Sequence, residues 1–342
     1  MTLITKHIAK LCGCLLAALA LLNGAEAIAQ KKNAPAKANP LPAETQMKNK
    51  INEWTLGLAG GLLEGAPIRL ATEIARVVND GENLHVLPIV TRGPTENLND
   101  LLFLRGVDVA IISSDSLEEY KQQLPDVSRR ITYILNLFPS ELHIFVRPEI
   151  QSLADLRGKK VNFNTRGTAA AFSGPMIFSR LGLDVEQTFI PHPLAIEQMR
   201  RGEIAGVVFI TSKPIDAFLK GKWDPGFKFL PVEYGPKFED YYLPSTLDAK
   251  DYPNLVQAGA EVETIAVPTI LTAYNWPTTS DRYRRVARFT EYLFSRIERL
   301  HAPGFDSKWK DVNLNAKVPG LERFRAAQDW LNANTATVGM RR

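Results

Sequence analysis

The chain reads as an α/β protein with two similar α/β lobes joined by a two-crossing hinge. Three observations point there. A unit of strand, polar turn, amphipathic helix and strand occupies residues 85–115, and the same grammar restarts after Pro148. At 342 residues the chain is too long for one ordinary hydrophobic core. Each apolar strand run ends in Gly, Ser, Thr or Asn, and open parallel sheets gather ligands at the carboxyl ends of their strands.

Residues 1–29 have the form of a secretory signal peptide: Lys6 and Lys10, an apolar run over 15–22, then small residues around Ala25, Ala27 and Ala29. The apolar run falls short of the roughly 20 residues that span a bilayer. Cys12 and Cys14, the chain's two cysteines, precede that run, so the exported protein holds no thiol. Residues 30–50, rich in Lys, Ala, Pro and Asn without apolar periodicity, read as a flexible leader, with order beginning near Asn52.

Lobe I is expected over 51–146 and 245–342, and lobe II over 147–244. In lobe I a strand over 54–59 leads through Gly60 and Gly61 to a helix over 67–78, which carries Ile68, Ala71, Ile74, Ala75 and Val78 on one face. A second helix, over 95–104, buries Leu98, Leu101 and Leu102 and stops at Gly106. The run over 107–112 is almost wholly apolar, as a strand covered by helices on both faces requires. Residues 131–138 and 141–146 read as two strands around Pro139. Lobe II repeats the plan, with strands over 160–164, 188–191 and 205–210 and helices over 170–181 and 194–201. A last strand over 263–273 precedes helices over 281–300 and 321–334. The chain is expected to leave lobe I near Arg147 and return between Tyr241 and Thr264, two crossings that make a ligand-closing hinge.

A formal net charge of +4 is small for a nucleic-acid binder, and export argues against one. The five histidines, at 7, 85, 143, 192 and 301, have no paired spacing for a metal. The Gly-x-Ser-x-Gly elbow, the phosphate-binding loop and the dinucleotide fingerprint are all missing, so neither catalysis nor a cofactor is expected. What the sequence offers is a set of strand-to-helix turns with free backbone amides at helix amino ends, suited to an anion. Their residues are Gly60, Gly61, Thr91, Arg92, Thr95, Ser113, Ser114, Asp115, Asn164, Thr165, Arg166, Gly167, Thr168, Thr211 and Ser212. The hydroxyls among them either face a ligand or cap their helices. Arg92 and Arg166 sit where a guanidinium could grip a carboxylate in two bonds, or could stay solvated. Tyr241, beside Tyr242, either covers a ligand or packs in the hinge.

At these turns the chain resembles the TAXI family, the TRAP-associated extracytoplasmic solute receptors. The resemblance rests on Gly57-Leu58-Ala59-Gly60-Gly61, Thr91-Arg92-Gly93-Pro94-Thr95-Glu96-Asn97-Leu98, Ser113-Ser114-Asp115 and Asn164-Thr165-Arg166-Gly167-Thr168, in that order. Further landmarks are the blocks at 142–147, 152–159, 241–244 and 265–268. The resemblance implies a type II periplasmic binding protein that captures a small solute; the helix amino ends with Arg92 and Arg166 point to an anionic organic solute such as a carboxylate, and the protein is expected to be a monomer. It would deliver that solute to the membrane subunits of a TRAP transporter. The chain departs from the family pattern at Leu62, Leu63 and Arg92, where ligand would be touched, and at Tyr252-Pro253-Asn254-Leu255. Two other functions fit the same architecture: the substrate-binding protein of an ABC importer of sulfonate, nitrate or thiamine-precursor type, and a periplasmic partner of a ligand sensor.

Overall fold

The structure, a computed structural model, describes residues 42–334 apart from positions 64, 82 and 122 and the side chain of position 119. The signal peptide expected over 1–29 and the leader up to residue 41 lie outside the described residues. Where the leader enters them it is helical, since α1 spans Ala43–Glu53. That corrects the expectation of an irregular leader up to residue 50. The segment is rich in strong helix formers, and Glu44 pairs with Lys48 one turn on at 2.6 Å. With Met47 and Ile51 as its large apolar residues it lacks the apolar stripe by which helices are recognised in sequence.

Apolar strand runs from both ends of the chain build a single sheet of ten strands. In chain order these are β1 (Thr55–Gly61), β2 (His85–Val90), β3 (Val109–Ser113), β4 (Ile131–Val146), β5 (Lys160–Asn162), β6 (Glu186–Thr188), β7 (Gly206–Thr211), β8 (Lys228–Phe229), β9 (Leu243–Asp248) and β10 (Glu261–Tyr274). The main order is β2-β1-β3-β10-β4-β7-β5-β6, with β8 beside β4 and β9 beside β10. One half is the parallel set β2-β1-β3 closed by antiparallel β10. The other is the parallel set β6-β5-β7 closed by antiparallel β4. Order and sense are the same in both, so the two lobes are built alike, as their sequences suggest.

Helices cover both faces of each half. They are α2 (Ala66–Val78), α3 (Pro94–Phe103), α4 (Leu117–Lys121), α5 (Val127–Arg130), α6 (Ala169–Arg180), α7 (His192–Arg200), α8 (Asp216–Lys220), α9 (Asp281–Ser295) and α10 (Arg325–Ala333). In the first half, one core packs α2, α9 and α10 on the sheet through Ile74, Val78, Phe289 and Leu293, and the opposite face buries Leu98 and Leu101 of α3. In the second half α6 seals one face through Ile177 and Phe178, and α7 and α8 seal the other through Met199 and Phe218. Burial on both faces is why β3 and β7 read as continuous apolar runs.

Two long strands carry the chain between the halves. Residues 131–146 form one strand, not two around Pro139. β4 pairs with β10 over residues 131–141 and passes to β7 over 141–146, while β10 runs from β9 to β3. β4 passes from one half to the other at residues 139–141, a few residues before Arg147, and β10 does so at 266–269, just past the 241–264 stretch expected for the return. Pro139 stands opposite Pro268, and neither can donate to the ladder. The neighbouring Ser140 Oγ and Thr269 Oγ1 hydrogen-bond at 3.0 Å, so side chains bridge the strands where the backbone cannot. A proline that reads as a strand end in sequence is here a strand interior.

Candidate functional site

Strand ends from both halves meet at a chamber of about 360 Å³, near the lower end of the roughly 300–1,000 Å³ usual for ligand sites. β1 contributes Gly60 and Gly61, and β3 contributes Ile111, Ile112 and Ser113. β7 adds Phe209, Ile210 and Thr211, and Asn164 follows β5. Phe138, Ser140 and Thr269 come from the two crossing strands. In each half the parallel order reverses direction beside its first strand, the switch point where α/β sheets open a crevice.

Glycine sets how closely the parts approach. A Cβ on Gly60 would lie 2.8 Å from Ile68 Cα, so only glycine lets α2 sit against the end of β1. Across the mouth the halves touch backbone to backbone. A Cβ on Gly93 would lie 1.9 Å from the Gly167 carbonyl oxygen, and one on Gly167 would lie 2.3 Å from the Arg92 carbonyl oxygen. Both residues have positive φ, +125° and +91°, which side-chain-bearing residues rarely adopt. This seam walls the chamber from an outer vestibule of about 600 Å³ lined by Leu62, Arg92, Thr95, Tyr120, Arg166 and Phe172.

Of the residues singled out in sequence, Gly60, Gly61, Ser113, Asn164, Gly167, Thr168 and Thr211 line the chamber. Asn164 holds φ +61°, a left-handed conformation for a side-chain-bearing residue at the tip of its strand. Thr168 is occupied as a cap: its hydroxyl donates to the Thr165 carbonyl at 2.8 Å and accepts from Ala171 N at 3.2 Å. Arg92, Thr95 and Arg166 face the vestibule instead. The Arg92 side chain is 84% exposed and pairs with Glu96, one turn along α3, while Arg166 lies 4.0 Å over the ring of Phe189. Neither guanidinium lines the chamber, and each has a partner within its own half.

Thr91, Ser114 and Asp115 are buried behind the walls. Thr91 donates to Asn97 Oδ1, and Asn97 Nδ2 donates to the Ile111 carbonyl at 2.6 Å, so the turn after β2 is tied to β3. Ser114 Oγ donates to the Tyr241 carbonyl at 2.7 Å, and Asp115 accepts from the Tyr242 hydroxyl at 3.1 Å. Burial holds the Asp115 carboxyl above its usual range. Thr165, Ser212 and Tyr241 line neither cavity. Tyr241 donates to Glu118 at 2.6 Å and packs, and burial pushes its phenol up to about 12.

Sequence reasoning missed Asn97, Ser140, His192 and Thr269 as chamber residues. Asn97 lies in a block already marked by resemblance, and Ser140 and Thr269 flank the paired prolines. His192 carried no signal. Its ring stacks on Phe209 with centroids 3.4 Å apart, and Nε2 lies 2.9 Å from the Val208 carbonyl, which places the proton there. Burial lowers its pKa to about 4, so it is neutral. Among the described residues no chamber-lining side chain carries a charge at neutral pH, and no cluster of His, Cys, Asp and Glu could hold a metal.

Four helix amino ends abut the chamber: Ala66 and Pro67 of α2, Pro94 of α3, Ala169 and Ala170 of α6, and His192 of α7. The starts of α2, α3 and α7 have no side-chain cap, whereas Thr168 caps α6. Pro67, Pro94 and Pro193 have no N–H to offer, so the partial positive charge at these three starts comes from the remaining first-turn amides.

Two like-ordered halves on a pair of crossing strands, closed over a chamber at their carboxyl ends, define the type II periplasmic-binding-protein fold. The chain belongs to the NMT1-like family, whose model matches residues 67–304. Similar solved structures include a Xanthomonas citri protein bound to ATP, at 10% identity and TM-score 0.49, covering 84% of this chain and 98% of that one. An amino acid ABC transporter substrate-binding protein from Streptococcus pneumoniae, bound to L-arginine, matches at 14% identity and TM-score 0.40, covering 72% and 92%. The periplasmic aliphatic sulphonate binding protein of Escherichia coli matches at 12% identity and TM-score 0.37, covering 84% and 77%.

Proposed function

We propose that this protein is a periplasmic solute receptor, monomeric and without catalysis, that closes over a small anionic organic molecule and delivers it to the membrane subunits of a TRAP-type secondary transporter. The chamber between the two halves, with the backbone contact of Gly93 and Gly167 at its mouth, carries this reading. A solute there touches both halves at once, so its differential contacts favour the closed arrangement. The uncapped starts of α2, α3 and α7 support an anion without help from the arginines. Lys6, Lys10 and the apolar run that follows support export, and no helix among the described residues is long and apolar enough to cross a membrane. The ordered blocks shared with the TAXI family support the TRAP partner.

Uptake into vesicles bearing the membrane subunits tests the proposal. Transport should require this protein, the solute and an ion gradient. Uptake that needs ATP hydrolysis instead would replace the TRAP partner with an ABC importer. Solution scattering tests closure: saturating solute should shrink the particle at constant mass, and an unchanged profile would remove the receptor reading.

A further inference from the structure

We infer that the solute is a compact monocarboxylate with an apolar body, and neither a zwitterionic amino acid nor a dicarboxylate. The inference rests on reading the chamber as the site of an anionic solute and adds what the walls demand of the rest of the molecule. Those walls are largely hydrocarbon and aromatic: Leu62 at the mouth, Ile112 and Phe138 on the first half, and Phe209, Ile210 and Ile215 on the second. An apolar body gains by leaving water for such a lining.

An α-ammonium group would need a carboxylate or several carbonyl acceptors, because an unpaired buried charge is strongly disfavoured. Among the described residues no acidic side chain lines the chamber. The two buried carboxylates nearest in sequence to its lining do not line the chamber: Asp115 Oδ2 accepts from the Tyr242 hydroxyl, and Glu141 accepts from the backbone N–H of Lys213 at 3.0 Å. A second carboxylate on the solute would need a second source of positive charge. The two arginines that could supply it lie outside the seam, in the vestibule. The seam also limits length, since the Gly93–Gly167 approach leaves no side-chain-sized gap for a tail.

A matched panel separates these demands: 4-methylpentanoate, L-leucine, glutarate and 4-methylpentanamide, each titrated by calorimetry into the whole exported protein and into Gly167→Val. The branched acid should bind wild type at least tenfold more tightly than L-leucine or glutarate, and its affinity should fall about 100-fold in the variant. If L-leucine or glutarate binds as well as the acid, the class is wrong while the anion-receptor reading stands. If the amide matches the acid, the anion reading falls with it. Binding by none of the four, or equal binding by Gly167→Val, overturns the inference as well. In that case scattering with other small anions decides separately whether the receptor closes at all.

Discussion

The two halves share one topology but treat their first helix start in opposite ways. β1 ends in Gly60 and Gly61, the chain passes through Gly65, and α2 begins with no side-chain cap. After β5 it turns through Asn164, held at φ +61°, and Thr168 caps α6 with its own hydroxyl. One helix start is left without a side-chain cap, and the other is capped by its own threonine. Likeness of fold therefore does not imply likeness of task. In the proposed receptor the first half offers more uncapped helix ends to the anionic group, and the second adds neutral His192, stacked on Phe209, to the wall.

The largest effect should come from the place where the halves meet. Gly93→Val or Gly167→Val puts a side chain where backbone now lies, so affinity should fall about 100-fold, or about 2.8 kcal/mol. Scattering with ligand should then resemble the open particle. A Gly93→Val protein that closes and binds like wild type would show that the seam is not the closure contact.

Next come two asparagines with parallel duties. Asn97 ties the turn after β2 to β3, and Asn162 holds Ile190 ahead of α7 through the Ile190 N–H at 3.0 Å and its carbonyl at 3.1 Å. Either change to alanine leaves buried partners unpaired and should cost about 2–3 kcal/mol in denaturant unfolding. Only Asn97 lines the chamber, so only Asn97→Ala should also weaken solute binding. Equal loss of binding in both variants would erase that distinction.

The halves also differ in how they respond to pH. The second half buries His143, whose pKa falls to about 3, and His192, whose pKa falls to about 4, both through loss of solvation. Below about 6.5 the unfolded chain takes up protons that these folded imidazoles refuse, so stability should drop as pH falls from about 6.5 toward 4. The first half buries Asp115 with a raised pKa. There the folded state keeps a proton that the unfolded chain releases above about 3.9, so this group lowers stability as pH rises through its folded value. Melting temperature against pH should lose part of its acid-side slope in His192→Asn and part of its fall on the other side in Asp115→Asn.

The smallest effects should come from residues that sequence alone made prominent. Thr168→Ala removes a helix cap and should cost about 1 kcal/mol, with little change in binding. Arg92→Ala breaks an exposed pair one helical turn apart and should alter stability by no more than about 0.5 kcal/mol and affinity by no more than a few-fold. Abolished binding in Arg92→Ala or Arg166→Ala would move the anion from the chamber to the vestibule.

The fold was legible because it rests on local patterns. Unbroken apolar runs marked β3 and β7, amphipathic periodicity marked α2, and glycines such as Gly106 and Gly202 marked helix ends. The site was legible to the extent that it follows from strand ends. Gly60, Gly61, Ser113, Asn164 and Thr211 were found because a parallel strand delivers its next residues to the crevice. Ser140 and Thr269 were not, because a proline in sequence does not reveal whether the strand continues past it.

By itself the sequence determined the repeated α/β plan, the turns that bound the cleft and the uncharged character of most strand-end residues, all set by side-chain periodicity and backbone preference within a few residues. Only the tertiary structure decided where the halves exchange, on which side of the seam Arg92 and Arg166 fall, and that Gly93 and Gly167 meet backbone to backbone. Those depend on residues tens of positions apart coming within a few ångströms, and a guanidinium takes whichever partner that packing brings within reach, here Glu96 and Phe189 rather than the chamber.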